Sequence, residues 1–87
     1  MEKVRLKDID EGAYLWIKGL EYAGNDVENL GYKQVVWFNF EWRGDPVELL
    51  ELRNTYRNGD ARVEPKTFAS KQFELRKIVQ EERQRNR

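Results

Sequence analysis

Val35 to Trp42, "VVWFNFEW", sets four aromatic rings in eight residues of an 87-residue chain. Its β-branched and aromatic content marks a strand. Side chains alternate across a strand, so Val36, Phe38, Phe40 and Trp42 share one face. Val35, Trp37, Asn39 and Glu41 share the other. The first set is an unbroken apolar stripe and belongs in a core. The second is mixed and faces outward, which puts Asn39 and Glu41 in solvent and leaves Trp37 as a large ring without an assigned role.

Working outward, "LEYAG" is short and β-like, and "NDVENLG" is rich in turn formers. Together with the aromatic strand they predict an antiparallel hairpin, with a loose connection around Asn25 to Gly31. "KVRL" alternates, with Val4 and Leu6 on one face, and suits a short N-terminal strand. Asp8 then opens a helix as its N-cap, with Glu11 three residues on as the return arm of a capping box. Ile9, Ala13, Trp16 and Leu20 follow one helical face, and Gly19 is placed to end the helix near Lys18.

Past the strand, Arg43-Gly44 turns the chain and Asp45-Pro46-Val47-Glu48 begins helix 2, with Asp45 as N-cap and Pro46 in the first turn. Leu49, Leu52 and Tyr56 line its apolar side, broadened by Leu50. Asn58-Gly59 supplies left-handed backbone to stop it. "DARVE" is extended, and Pro65 opens helix 3, expected to run into the low 80s with Phe68, Leu75, Ile78 and Val79 as its buried stripe. "EERQRNR" has no apolar residue and is expected to fray. The fold predicted is a single α+β domain over residues 1–80. It comprises an N-terminal helix, a small sheet built on the antiparallel hairpin, and two C-terminal helices packed on one sheet face. Residues 81–87 form a charged tail.

These parts, in this order, resemble the DUF5659-type family of small proteins of unknown function, found largely in bacteria and their phages. The resemblance is carried by "DIDEGAYLWIKG", by "VVWFNF" and by "YRNGDARVEPKTFASKQFELRKIV". The last segment is the most specific, through Tyr56, Asn58, Gly59, Ala61, Val63, Pro65 and Phe68. The resemblance as a whole spans roughly residues 6–79. The chain departs from the family in an acidic, longer hairpin loop around Asn25 to Asn29 and in its charged tail. The resemblance implies no activity and no catalytic residues; what it implies is a setting of phages and mobile elements. Every marked residue of the Tyr56–Phe68 segment also has a structural use: ending a helix, spanning a connection, or filling the core.

Composition narrows the chemistry. The chain has no histidine and no cysteine, which removes imidazole bases, serine–histidine triads, thiol nucleophiles, thiolate zinc sites and disulfides. Ser70 is the only serine and has no neighbouring base. Neither a phosphate-binding glycine loop nor a dinucleotide fingerprint occurs. "DVENLGYKQVVW" begins like a calcium loop, but Leu30 and Trp37 stand where ligands belong. No enzyme activity, cofactor or metal is therefore expected. The remote exception is a magnesium-dependent nuclease built on Asp26, Glu41 and Arg43. No apolar run spans a membrane and the N-terminus lacks a signal-peptide core, so a cytoplasmic protein is expected, in an infected host cell if the phage setting holds.

Net charge is zero, but residues 1–50 carry 6 Lys or Arg against 10 Asp or Glu, and residues 51–87 carry 10 against 6. Ordinary surface variation accounts for this. So does a basic face meeting nucleic acid or an acidic partner. The leading expectation is a non-catalytic interaction protein that binds a host protein, with nucleic-acid binding through helix 3 as the alternative. A helix-turn-helix is disfavoured, because the Asn58–Glu64 connector is long for that motif and helix 3 mixes Glu74, Glu81 and Glu82 among its basic residues. Candidate contact residues are Trp37 with Tyr22 or Tyr32, and Phe73 with Lys66, Ser70 and Lys77, which recur at helical spacing opposite the buried stripe of helix 3. The alternative for Trp37 is cover by helix 1, by the N-terminal segment or by a dimer mate, and for Phe73 packing against a neighbouring element or a dimer mate. Oligomeric state is left open, a homodimer included.

Overall fold

The computed structural model describes residues 1–85. Its elements are β1 (Glu2–Leu6), α1 (Ile9–Ile17), β2 (Glu21–Asn29), β3 (Gln34–Trp42), α2 (Pro46–Arg57) and α3 (Pro65–Arg85). The strands form one antiparallel sheet in the order β1-β3-β2. The fold is α+β, as the sequence predicts, and the aromatic strand is its centre. Val36, Phe38 and Phe40 point inward and are buried, facing Val4 and Leu6 of β1 and Tyr22 and Val27 of β2 on the same side. Trp42 ends this row, and its indole N–H donates to the Asp45 carbonyl at 2.9 Å, fastening the strand to the start of α2.

The hairpin differs from expectation. Asn25 to Asn29 are strand, and the connection shrinks to residues 30–33, closed by the Leu30 N–H donating to the Lys33 carbonyl at 2.9 Å. A β-bulge causes the misreading. The register steps from Tyr22↔Phe40 to Asn25↔Phe38, so Ala23 and Gly24 together oppose Asn39. Gly24 takes φ +104°, a conformation that side chains disfavour. One extra residue reverses the alternation, so Tyr22 and Asn25, three apart, both face inward.

Helix α1 begins as predicted, with the Asp8 carboxylate accepting the N–H groups of Asp10 (2.9 Å) and Glu11 (3.3 Å). Glu11 does not close the capping box. It turns to Arg53 of α2, 3.0 Å away, and is itself buried. The predicted one-sided stripe is also too narrow. Ala13 is buried but Ile9 and Trp16 only half so, while Gly12, Tyr14 and Leu15 are buried as well. The reason is that α1 is covered from several sides: by the sheet, by α3, and by α2 through Tyr14 against Tyr56 (5.5 Å between ring centres). Gly12 marks the closest point, since a Cβ there would sit 3.1 Å from Leu75 Cδ1, 3.3 Å from Leu6 Cδ1 and 3.6 Å from the Phe40 ring.

Helix α2 starts at Pro46 with Asp45 as its cap, accepting the Val47 N–H at 2.8 Å, and stops at Asn58 before Gly59 at φ +80°. It lies at the side of the helical layer. Leu49 reaches the core, Leu52 and Tyr56 are half-buried, and Leu50, expected to broaden the stripe, is exposed. Helix α3 is held at its start by Glu64, whose carboxylate accepts the N–H groups of Lys66 (3.2 Å) and Thr67 (2.7 Å) and the Thr67 hydroxyl (2.7 Å). Leu75 is its one buried residue, flanked by half-buried Phe68, Ile78 and Val79. The segment expected to fray from residue 81 is helical through Arg85, and Asn86 and Arg87 lie outside the described residues. Glu82 accepts from Asn25 Nδ2 (3.1 Å) and Arg85 (3.2 Å), which ties the end of α3 to the bulged strand. Helices α1 and α3 thus cover one sheet face, and among the described residues no layer lies on the opposite face.

Candidate functional site

The expected contact residues separate onto three surfaces and the interior. Phe73 is 67% exposed, at the middle of the α3 stripe that points away from the sheet. Lys66, Ser70 and Lys77 flank it, all exposed, as expected from their spacing. Arg76, Ala69 and Gln80 complete the stripe, which carries three cations and is bordered beside Ser70 and Lys77 by the exposed Glu74 and Glu81.

Trp37 lies on the uncovered sheet face, away from Phe38, and is half-buried. What covers it comes from β1 and the residue after it. The Arg5 guanidinium stands 4.3 Å from its ring centre and the Lys7 ammonium 5.7 Å. Arg5 also reaches Asp26 (3.7 Å), whose carboxylate accepts from Asn39 Nδ2 (3.0 Å). The ring is therefore shielded by cations and is not a bare stacking platform. Its indole N–H is buried and meets no acceptor among the described residues, a state that costs about 1–3 kcal/mol. Asn39 and Glu41 do face outward, but as half-buried members of the central strand and not as freely solvated groups.

Tyr22 corrects the expectation most directly. It lies opposite Phe40 on the covered face, so it cannot join Trp37. Its ring stacks on Trp16 (5.4 Å) and meets Phe40 edge-on (5.7 Å). Its hydroxyl donates to Asn25 Oδ1 at 2.6 Å. Burial, with the Glu82 carboxylate nearby, raises its pKa above the ordinary phenol value. Tyr22 is part of the core. Tyr32, by contrast, is 86% exposed at the hairpin turn. It lines a shallow recess of about 460 Å³ with Lys33 and Arg83.

Asp26 and Glu41, the acids of the nuclease pattern, do not converge. Asp26 stands opposite Trp37, four residues before Glu41 on β3, a span of about 13 Å along a strand. Among the described residues no group of three or more acidic side chains is placed to hold a metal.

The sequence reading missed the organisation of the uncovered face. Lys3 and Arg5 of β1, with Lys7 just beyond, form a basic row. Glu21, Asp26 and Glu28 of β2 form an acidic row. Between them run Val35, Trp37, Asn39 and Glu41 of β3. A signal for the basic row was present: the alternation that put Val4 and Leu6 inward puts the intervening cations outward. The acidic row was masked by the bulge. A shallow recess of about 470 Å³ lies on this face, lined in part by Lys3, Arg5, Ala23, Asn39 and Glu41.

Fold and surfaces define a small two-layer α+β domain with one bare sheet face and one bare helical stripe. No family model, curated protein or solved structure matches the chain.

Proposed function

We propose that this chain is a non-catalytic binding protein that engages a protein partner through the α3 stripe centred on Phe73. The observation that carries this reading is Phe73 itself, which is more exposed than any other aromatic on a helix or strand of the described residues. Burying such a ring against a partner contributes about 1.5–3 kcal/mol, and aromatic anchors ringed by polar residues are the usual centres of interfaces. Lys66, Arg76 and Lys77 select for acid around the apolar pocket that receives the ring. The resemblance to DUF5659-type proteins, with its phage and mobile-element setting, makes a host protein the natural partner. Such a mode of action needs no catalytic residue, in keeping with a chain that has no histidine or cysteine.

A second reading rests on the cations of the same stripe: phosphate contacts from Lys66 and Lys77, with a base stacked on Phe73. One experiment separates the two. Wild type and Phe73→Ala are used to capture partners from host lysate, with and without nuclease treatment, and both are melted. Binding that is lost in the variant at an unchanged melt, and that survives nuclease, supports the protein reading. Binding that disappears with nuclease supports the second reading, and Lys66→Ala with Lys77→Ala then lowers the salt slope by about 2. Binding unchanged in Phe73→Ala, or a melt lowered with binding intact, overturns the role given to this surface.

A further inference from the structure

We propose that the uncovered sheet face is a self-association surface, on which two copies of the chain pack face to face about a two-fold axis parallel to their strands. The argument begins from the sign pattern. The outward row contributed by β1 and Lys7 is basic, and the charges of the β2 row, Glu21, Asp26 and Glu28, are all acidic, on either side of the uncharged bulge at Ala23 and Gly24. A two-fold axis running along the strands, in the plane between two such faces, lays β1 of one copy over β2 of the other, and β2 over β1, with β3 over β3. Each outer row meets its opposite, twice, while the middle row meets itself, with Glu41 facing its own counterpart. An axis perpendicular to the strands would instead stack basic on basic and acidic on acidic. The surface complementary to this face is the same face rotated, which is the condition for an isologous dimer.

Other occupants fit less well. Glu41 of β3 joins the three acids of β2 on this face, which repels a phosphate backbone. The middle row supplies a contact centre in Val35 and the Trp37 ring with its covering cations, and sheets packed face to face lie about 10 Å apart, within reach of lysine and glutamate side chains from both sides. Size sets the strength. Three strands of at most nine residues offer at most about 30 × 14 Å, so the pair buries about 800–1,000 Å². That is the low end for specific interfaces, and the predicted dimer is weak, in the micromolar range or above, and sensitive to salt. It leaves the α3 stripe, on the other side of the molecule, free for its own partner.

Charge reversal tests this without touching the Arg5–Asp26 pair. One variant carries Lys3→Glu and Lys7→Glu, weighting both outer rows towards acidic; another carries Glu21→Lys and Glu28→Lys, weighting both towards basic. Sedimentation equilibrium at low salt should show a wild-type monomer–dimer equilibrium. Each variant alone should self-associate at least about tenfold more weakly, and their equimolar mixture should recover dimer, because each now carries the rows the other needs. Should a variant fold poorly, amide shifts of the wild type with rising concentration give the same answer. They should move at outward positions of β1, β2 and β3 and stay fixed on α3. A wild type that is monomeric up to about 1 mM overturns the proposal. So do reversals that leave the dimer intact, a mixture that fails to recover it, or a dimer abolished by Phe73→Ala.

Discussion

Gly12→Ala probes the close approach where α1 meets α3 over the sheet. In an unobstructed helix interior, alanine is favoured over glycine by about 1 kcal/mol. At this position the new methyl would lie 3.1 Å from Leu75 Cδ1 and 3.3 Å from Leu6 Cδ1. Carbon atoms pack best at about 3.5–4.0 Å, so one of the two leucines or the helix itself must yield. Overpacking of this kind costs about 1–3 kcal/mol. The net expectation is a loss of up to about 2 kcal/mol, a substantial part of the roughly 4–13 kcal/mol available to a domain of this size. Leu75→Ala removes the nearer obstacle and by itself costs about 2–5 kcal/mol, since Leu75 is 0% exposed. In that background Gly12→Ala should regain its helix preference and fill part of the void, stabilising by up to about 1 kcal/mol. The two substitutions are then coupled by at least about 1 kcal/mol, the pair being less damaging than the sum. Urea unfolding of the wild type, both single variants and the double variant, in a common stabilising osmolyte, measures the cycle. A wild-type gain of the full 1 kcal/mol from Gly12→Ala, or strict additivity, would refute the close crossing.

Three further outcomes are expected. Arg53→Ala strips the partner from the buried Glu11 carboxylate and should cost about 1–3 kcal/mol; Glu11→Gln combined with Arg53→Met should recover part of it, and a single variant as stable as wild type would show that the pair contributes nothing. Phe40→Ala should cost about 3–5 kcal/mol, and a melt matching wild type would mean that the faces of β3 are reversed. On the acid side, the Thr67 hydroxyl and the N–H groups of Thr67 and Lys66 hold the Glu64 carboxyl below its ordinary 4.5. Because the folded value is depressed, its contribution is present above the ordinary carboxylate range and lost as pH falls through the folded value. Tyr56 and Tyr22 behave oppositely: burial first, and nearby carboxylates second, raise both above 10.0. Their contribution is present below pH 10 and lost as pH climbs through the raised values. Carbon-detected titration of Glu64 and ultraviolet titration of the phenols check the two limbs, and ordinary midpoints in the folded protein would contradict them.

Local chemistry, written within a few residues, was legible in the sequence. Asp8 and Asp45 are caps because their carboxylates reach N–H groups two or three residues on, and Pro65 and Gly59 set backbone angles by themselves. The β3 stripe was legible for the same reason, since alternation is a property of one strand. Helical spacing alone placed Phe73 opposite the buried stripe of α3, but whether that side is packed or exposed was decided by the fold, which leaves it exposed. What only the tertiary structure decided were relations between distant elements. Glu11 looks like half of a capping box until Arg53, 42 residues away, comes within 3.0 Å of it. Tyr22 looks available beside Trp37 until the bulge at Ala23 and Gly24 turns it to the covered face. Trp37 could be open or covered on the sequence alone, and the pairing of β1 with β3 decides it by carrying Arg5 over the ring. Gly12 looks like a weak point in a helix until Leu75 of α3 occupies the space its side chain would need. In each case the deciding partner is remote in sequence, and local periodicity holds no information about which remote surface will arrive.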